Sequence, residues 1–315
     1  MPDQINLEDN ALIQVKRILG QYPANAQSEG PALIISAGIH GNEPSGILAL
    51  DRVFRALVDN NISCKGQITG VSGNLEAIKR RVRLIDKDLN RVCTLEYEQS
   101  IKEGNMPDFH EAREFKSLIE VIEEKLKSDK LEKVLFMDLH TTSSDTTPFI
   151  SVNKQDKSYD LAIKFPLPVV KGIEKYIPGH FDHYLTLKGH VGFTVEAGQH
   201  LSDKSVDYHE AMIWMMLEIS GMVNKESIPD YDHYYKLLKD TFGGESGYEV
   251  VYRHSLDEGD EFVMKPGYKN FSPISKGEIL ATQNGKDITS EIDGRIYMPL
   301  YQSQGSDGFF IVKEC

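Results

Sequence analysis

Apolar residues along this chain follow two periods. The apolar run Ala32–Ile35 reads as a strand buried on both faces, and Ala32–Ser36, Gln67–Val71, Val134–Met137 and Gly192–Val195 all look like strands. Between them, apolar residues recur at helical spacing over Leu12–Leu19, Ile47–Val58, Glu111–Lys127 and about Tyr208–Val223. In the third of these, Phe115, Leu118, Ile119 and Ile122 form one stripe. Alternating strands and helices predict a mixed α/β fold with a largely parallel central sheet and helices on both faces.

The pattern changes after the segment 229–235. From Tyr248 onward, short runs of Val, Ile, Tyr and Phe are separated by glycine turns at Gly259, Gly277, Gly285 and Gly294. Asn284-Gly285 and Asp293-Gly294 are the strongest hairpin signals among them. Two domains are expected: residues 1–228 as the α/β unit, and 229–315 as a smaller all-β unit. No internal repeat or low-complexity tract is visible.

Composition narrows the function. The chain has 315 residues, is 40% hydrophobic and carries a formal net charge of -13. Such a charge opposes binding to a phosphate backbone or an anionic membrane surface, so neither nucleic acid nor membrane is an expected partner. Three scattered cysteines, Cys64, Cys93 and Cys315, are too few for a disulfide framework or a thiolate metal site. The first residues lack the basic and apolar regions of a secretory leader, so a cytoplasmic location is expected.

Candidate chemistry gathers where strands end. His40 and Glu43 follow the run Ala32–Ile35, just ahead of Pro44 and an apolar-periodic helix. Proline suits a first helical turn, so both side chains should stand in the loop after a strand, where open α/β sheets bind ligands. A histidine and a carboxylate three apart can converge on one cation. His140 follows Val134–Met137, with Asp138 on the same side of that strand, and Glu196 follows Gly192–Val195. Alone, each of these is more simply a hydrogen-bonded structural residue. Arg83, Asn90 and Arg91 fall in an irregular, aspartate-rich loop. Lys79, Arg80 and Arg81 are accounted for by a solvated helix face.

Four motifs in this order, Gly38-Ile-His-Gly-Asn-Glu43, Asp86-Lys-Asp-Leu-Asn-Arg91, Asp138-Leu-His140 and Val195-Glu-Ala-Gly198, resemble the succinylglutamate desuccinylase/aspartoacylase family. The resemblance covers roughly residues 30–225. It implies a catalytic domain like that of the zinc carboxypeptidases and a hydrolase that removes the acyl group from an N-acylated amino acid or related small amine. His40, Glu43 and His140 would hold one Zn²⁺ per chain. Glu196 would be the general base for a zinc-activated water, Arg83 the residue that polarises the scissile carbonyl, and Asn90 with Arg91 the grip on a substrate carboxylate. Asp88 would orient its loop, and Asn74 matches a family position with an open role.

Some features depart from the family. An arginine expected ahead of the Glu196 strand is missing from Gly179–His190, where His180, Asp182, His183 and Lys188 stand instead. A tyrosine expected from the β-rich tail has no clear match in Pro299–Gly308. N-acetylaspartate is therefore a doubtful substrate. The alternatives are a zinc metallocarboxypeptidase acting on short peptides and a metal-binding scaffold without catalysis. The β-rich tail is expected to shape the cleft, and a homo-oligomer is compatible with it.

Overall fold

The computed structural model describes residues 4–7, 11–24, 29–125, 127, 131–242 and 247–315. Met1–Asp3, at the start of the segment read for a leader, and residue 126 of the expected third helix lie outside these.

In chain order the strands are β1 (Gln4–Leu7), β2 (Ala11–Gln14), β3 (Ile18–Tyr22), β4 (Gly30–Ala37), β5 (Gln67–Ser72), β6 (Leu131–Thr142), β7 (Phe149–Val152), β8 (Val169–Lys171), β9 (Val191–Gln199), β10 (Gly247–Ser255), β11 (Phe262–Met264), β12 (Pro273–Ile274), β13 (Ile279–Gln283), β14 (Lys286–Thr289), β15 (Gly294–Tyr297) and β16 (Asp307–Glu314). The helices are α1 (Ser45–Asp59), α2 (Leu75–Arg80), α3 (Leu95–Lys102), α4 (His110–Lys125), α5 (Asp156–Ala162), α6 (Phe181–Leu187), α7 (Asp203–Ile219) and α8 (Tyr231–Lys239).

Among the described residues, eleven strands form one sheet in the order β12-β15-β16-β10-β8-β7-β9-β6-β4-β5-β3. Its centre is parallel: β4 pairs with β5 and β6, and β6 with β9. The tail does not stand apart from this sheet. β10 runs parallel to β8, and β16 and β15 add antiparallel strands beyond it. A separate small sheet joins β11, β13 and β14. The hairpin between β13 and β14 turns on Asn284 and Gly285, both at positive φ (53° and 73°), as a type I′ turn requires.

The segment Leu12–Leu19, expected to be helical, is extended instead, as β2 and the start of β3. β3 lies antiparallel along β5, from Ile18 opposite Val71 to Tyr22 opposite Ile68. Sheet pairing overrides a short stretch whose apolar spacing only marginally favours a helix.

Strand alternation sorts the core into two layers. Leu33, Ile35, Met137, Leu139, Phe193 and Val195 face α1 and α7, which supply Ile47, Leu50, Val53 and Leu57 and then Met212 and Met216. On the opposite face, Ile34 and Phe136 pack under α4 and α6, with Phe115, Leu118 and Phe181. Each fully buried side chain of this size contributes about 1.5–3 kcal/mol.

The loops after β4 and β5 are fastened to each other at the sheet edge. Gly73 N–H donates to the Ala37 carbonyl and Asn74 N–H to that of Gly38, each at 2.9 Å. A Cβ on Gly73 would stand 2.4 Å from Ile39 Cα, one residue before His40. Gly73→Ala is therefore expected to lose about 1–3 kcal/mol through backbone displacement, read as a lower urea midpoint at unchanged slope.

Candidate metal and substrate site

Register brings the chemistry together. In the paired strands β4, β6, β9 and β7, Ser36, Asp138, Thr194 and Ser151 form one cross-strand row. Two residues on, His140 stands beside Glu196. These side chains share the face that carries Ile34 and Phe136 deeper in the sheet, so that face changes from apolar to polar at its carboxyl edge. His40 and Glu43 join them from the loop after β4, where Pro44 sits at φ -79° and its carbonyl accepts the first N–H bonds of α1.

His40, Glu43 and His140 are buried, and their ligand atoms all lie within 4.8 Å of one another. Glu43 is the hub. Its Oε1 is 2.8 Å from His40 Nδ1 and its Oε2 3.1 Å from His140 Nδ1, and Thr141 N–H donates to Oε2 at 3.0 Å. Each imidazole turns its other nitrogen to a carboxylate: His40 Nε2 to Asp88 (3.0 Å) and His140 Nε2 to Asp138 (3.1 Å). Asp138 in turn accepts from Ser36 Oγ at 2.6 Å. The short Nδ1–Glu43 contacts need a ring N–H; a cation in place of that proton would be held by both Nδ1 atoms and Glu43, with each Nε2 turned to its carboxylate, the arrangement that metal-binding histidines adopt. The three residues can therefore hold a metal ion. His209, buried in α7, braces the group by bonding the His140 carbonyl (3.1 Å) and Ser45 Oγ (3.2 Å). Burial pushes its pKa down to about 3, so it serves as a neutral ring.

The loop between α2 and α3 delivers the arginines. Its keystone is Glu111, a fully buried carboxylate that accepts from the N–H groups of Ile85, Asp86 and Lys87 and from Asn74 Nδ2. Asn74 also caps α2 through its side-chain oxygen. The resulting loop holds Arg83 against Asp88 (3.0 Å) and within 3.7 Å of Glu43. Burial opposes the charge on Arg83, but Asp88 and Glu43 outweigh it and raise its pKa.

Glu196 differs from the other carboxylates. Its Oε2 is buried and has no hydrogen-bond partner among the described residues. Burial holds its pKa well above the usual carboxylate range; His140 and Arg83 pull it down, while Glu43 and Asp138 add to the rise. Glu43 is the reverse: burial works against its charge, yet His40 and His140 keep it well below that range.

All seven residues singled out from sequence line one cleft of about 100 Å³: His40, Glu43, Arg83, Asn90, Arg91, His140 and Glu196. Asn90 and Arg91 are engaged as well. Asn90 Oδ1 accepts from Phe181 N–H, and Arg91 pairs with Asp307 (2.6 Å), which Arg253 also contacts (2.6 Å). Of the residues in place of the missing arginine, His180 and Asp182 line the cleft, whereas Lys188 is paired with Glu98. Sequence reasoning missed Tyr297, Asp307 and His200. Tyr297 ends β15 and presents its buried hydroxyl to the cleft. No local motif marks it, since its position depends on how the tail strands join the sheet.

Residues 29–219 match the family model described as the succinylglutamate desuccinylase/aspartoacylase catalytic domain. Succinylglutamate desuccinylase of Pseudomonas paraeruginosa is 34% identical over 119 residues, 38% of this chain and 33% of that protein. Its counterpart in Pseudoalteromonas atlantica is 26% identical over 281 residues, 84% of this chain and 75% of that one. The crystal structure of the Vibrio cholerae succinylglutamate desuccinylase superposes with a TM-score of 0.66 at 17% identity, covering 91% of this chain and 82% of that one, and so shares the fold. The chain thus spans about a third of one curated relative and three quarters of the other.

Because Asp88 ties His40 to Arg83, Asp88→Asn is expected to weaken metal binding by about 10–100-fold, measured by competition with a chromophoric chelator. Unchanged affinity would mean that the Asp88–His40 contact does not orient a ligand.

Proposed function

Since the chain belongs to the succinylglutamate desuccinylase/aspartoacylase family, a family of deacylases, we propose that it hydrolyses the amide bond of a small N-acylated amino acid. In this reading one zinc ion is held by His40, Glu43 and His140, and Glu196 is the general base. The observation that carries it is the unpaired, buried Oε2 of Glu196, in register beside His140 and lining the same cleft as the ligand group. A carboxyl group with no internal partner, poised above its ordinary pKa, is suited to take a proton and give it back.

Two histidines and a glutamate form a catalytic zinc set that leaves a coordination position open. Zinc, when bound, supplies Lewis acidity: it lowers the pKa of water to about 7 and polarises a carbonyl. The chain's residues do the rest. Glu196 Oε2 accepts a proton from the attacking water and passes it to the departing amine. Arg83 keeps a buried, unpaired Nε on the cleft and stabilises the developing oxyanion. Loss of such a donor costs on the order of 3–4 kcal/mol of transition-state stabilisation.

The substrate carboxylate belongs at Arg91. Arg91 and Arg253 share the single carboxylate of Asp307, which leaves one positive charge uncompensated, and Arg91 Nε is unpaired. Asn90 contributes its amide nitrogen, which lies 3.3 Å from His140 Nε2, because its oxygen is committed to Phe181. Residues 298–305, from the segment joining β15 to β16, close one side of the cleft, which favours a small molecule over a peptide chain.

Glu196→Gln is expected to retain about one zinc per chain while kcat falls by about 10²–10⁴-fold. In the wild type, activity should decline as pH drops through the raised Glu196 pKa, and this acid limb should vanish in the variant. A Glu196→Gln enzyme with near-normal turnover would sink the assignment, as would a chelated, folded protein with full activity.

A further inference from the structure

The cleft holds further polar groups beside the ligand group, and their charges do not cancel. Arg83 is paired with Asp88, and Arg91 and Arg253 share Asp307. Asp182, at the start of α6, is a carboxylate that no lysine or arginine reaches among the described residues. It is 3% exposed and lines the cleft. Its contacts are neutral donors: Asn153 Nδ2 at 3.1 Å, its neighbour His183 N–H at 2.7 Å, and the adjacent Thr194 hydroxyl. The nearest ring, His180, is 3.8 Å away, and burial together with Arg91 keeps that ring neutral.

A buried carboxylate without a cation is half of an ion pair, and isolating it from water is costly. Its surroundings are also unfinished. Ser151 Oγ and Tyr297 OH line the same cleft, are 6% and 0% exposed as residues, and have only each other nearby as hydrogen-bond partners among the described residues. Two hydroxyls with only each other for a partner and an uncompensated carboxylate lining one cavity describe a site for a hydrogen-bond donor that the protein does not itself supply.

We propose that the recess of Asp182, Thr194, Ser151 and Tyr297 receives a primary ammonium group on the substrate side chain and rejects a second carboxylate, with Asp182 as the specificity-determining residue. The proposal rests on the deacylase reading and names its substrate class: an N-acyl amino acid with one carboxylate, held at Arg91, and a side-chain amine. The raised pKa of Asp182, pushed up to about 7 mainly by burial and then by Asp138, agrees with a carboxyl group lacking its cation. A second anion placed here would meet Asp182, which pairs with no arginine among the described residues.

The test uses the zinc-loaded full chain and a series matched in length: N-acetylornithine, N-acetylglutamine and N-acetylglutamate, with N-acetylaspartate and N-succinylglutamate added. Expected kcat/KM falls from amine to amide to carboxylate, by at least about tenfold between the ends. Asp182→Asn should lower the amine-over-amide preference by about 10–100-fold, the worth of a charge-assisted hydrogen bond, through KM more than kcat. Calorimetry with free ornithine, glutamine and glutamate should give the same ranking without turnover. Preference for a dicarboxylate, an amide ranked above the amine, or an unchanged ranking in Asp182→Asn would overturn the proposal. If no compound is hydrolysed, the deacylase reading falls, and the calorimetric ranking still decides the role of Asp182.

Discussion

The site depends on the register of four strands. Because β4, β6, β9 and β7 are locked in step, Ser36, Asp138, Thr194 and Ser151 stand in one line, with His140 and Glu196 a pleat beyond. A slip of one residue in any pair would turn that strand's polar groups into the layer occupied by Ile47, Leu50 and Met212. The apolar residues on the other face therefore do more than stabilise the fold. They fix the separation between His140, which could hold a metal, and the group proposed to move protons.

What the sheet cannot provide, a single buried carboxylate does. The stretch from Arg83 to Arg91 contains one short 3-10 turn at Leu89–Arg91 and otherwise irregular backbone. Glu111 replaces the missing ladder by accepting three consecutive backbone N–H groups. Leaving such donors buried and unmet would cost about 1–3 kcal/mol each. The charge of Glu111 is thus spent on holding a loop still, and the loop spends its own aspartate, Asp88, on a histidine and an arginine.

Much of this was legible in the sequence, for identifiable reasons. Ala32–Ser36 and Val134–Met137 are long enough and apolar enough to be strands of either face, and the motif residues follow directly on their ends. His40, Glu43 and His140 therefore stand out by position as well as by type. Leu12–Leu19 was misread because eight residues hold too few repeats to separate the two periods, and the pairing with β5 decided the matter. Tyr297 and Asp307 stayed hidden because nothing near them in sequence signals that β10, β15 and β16 extend the central sheet. Asp182 stood out only as a departure. Its meaning needed the knowledge that each nearby arginine already has a partner.

The place of β16 in the sheet orders events in time. This strand lies between β10 and β15, and it brings Asp307 to Arg91 and Phe310 beside Tyr297. The residues that could hold a metal all occur by residue 140, whereas the groups proposed to choose the substrate are incomplete until the strands after residue 294 have been made and inserted. A growing chain folds from its amino-terminal side. It can therefore gather its ligand residues while still lacking the pocket that tells one small molecule from another, and discrimination is the last property the molecule acquires.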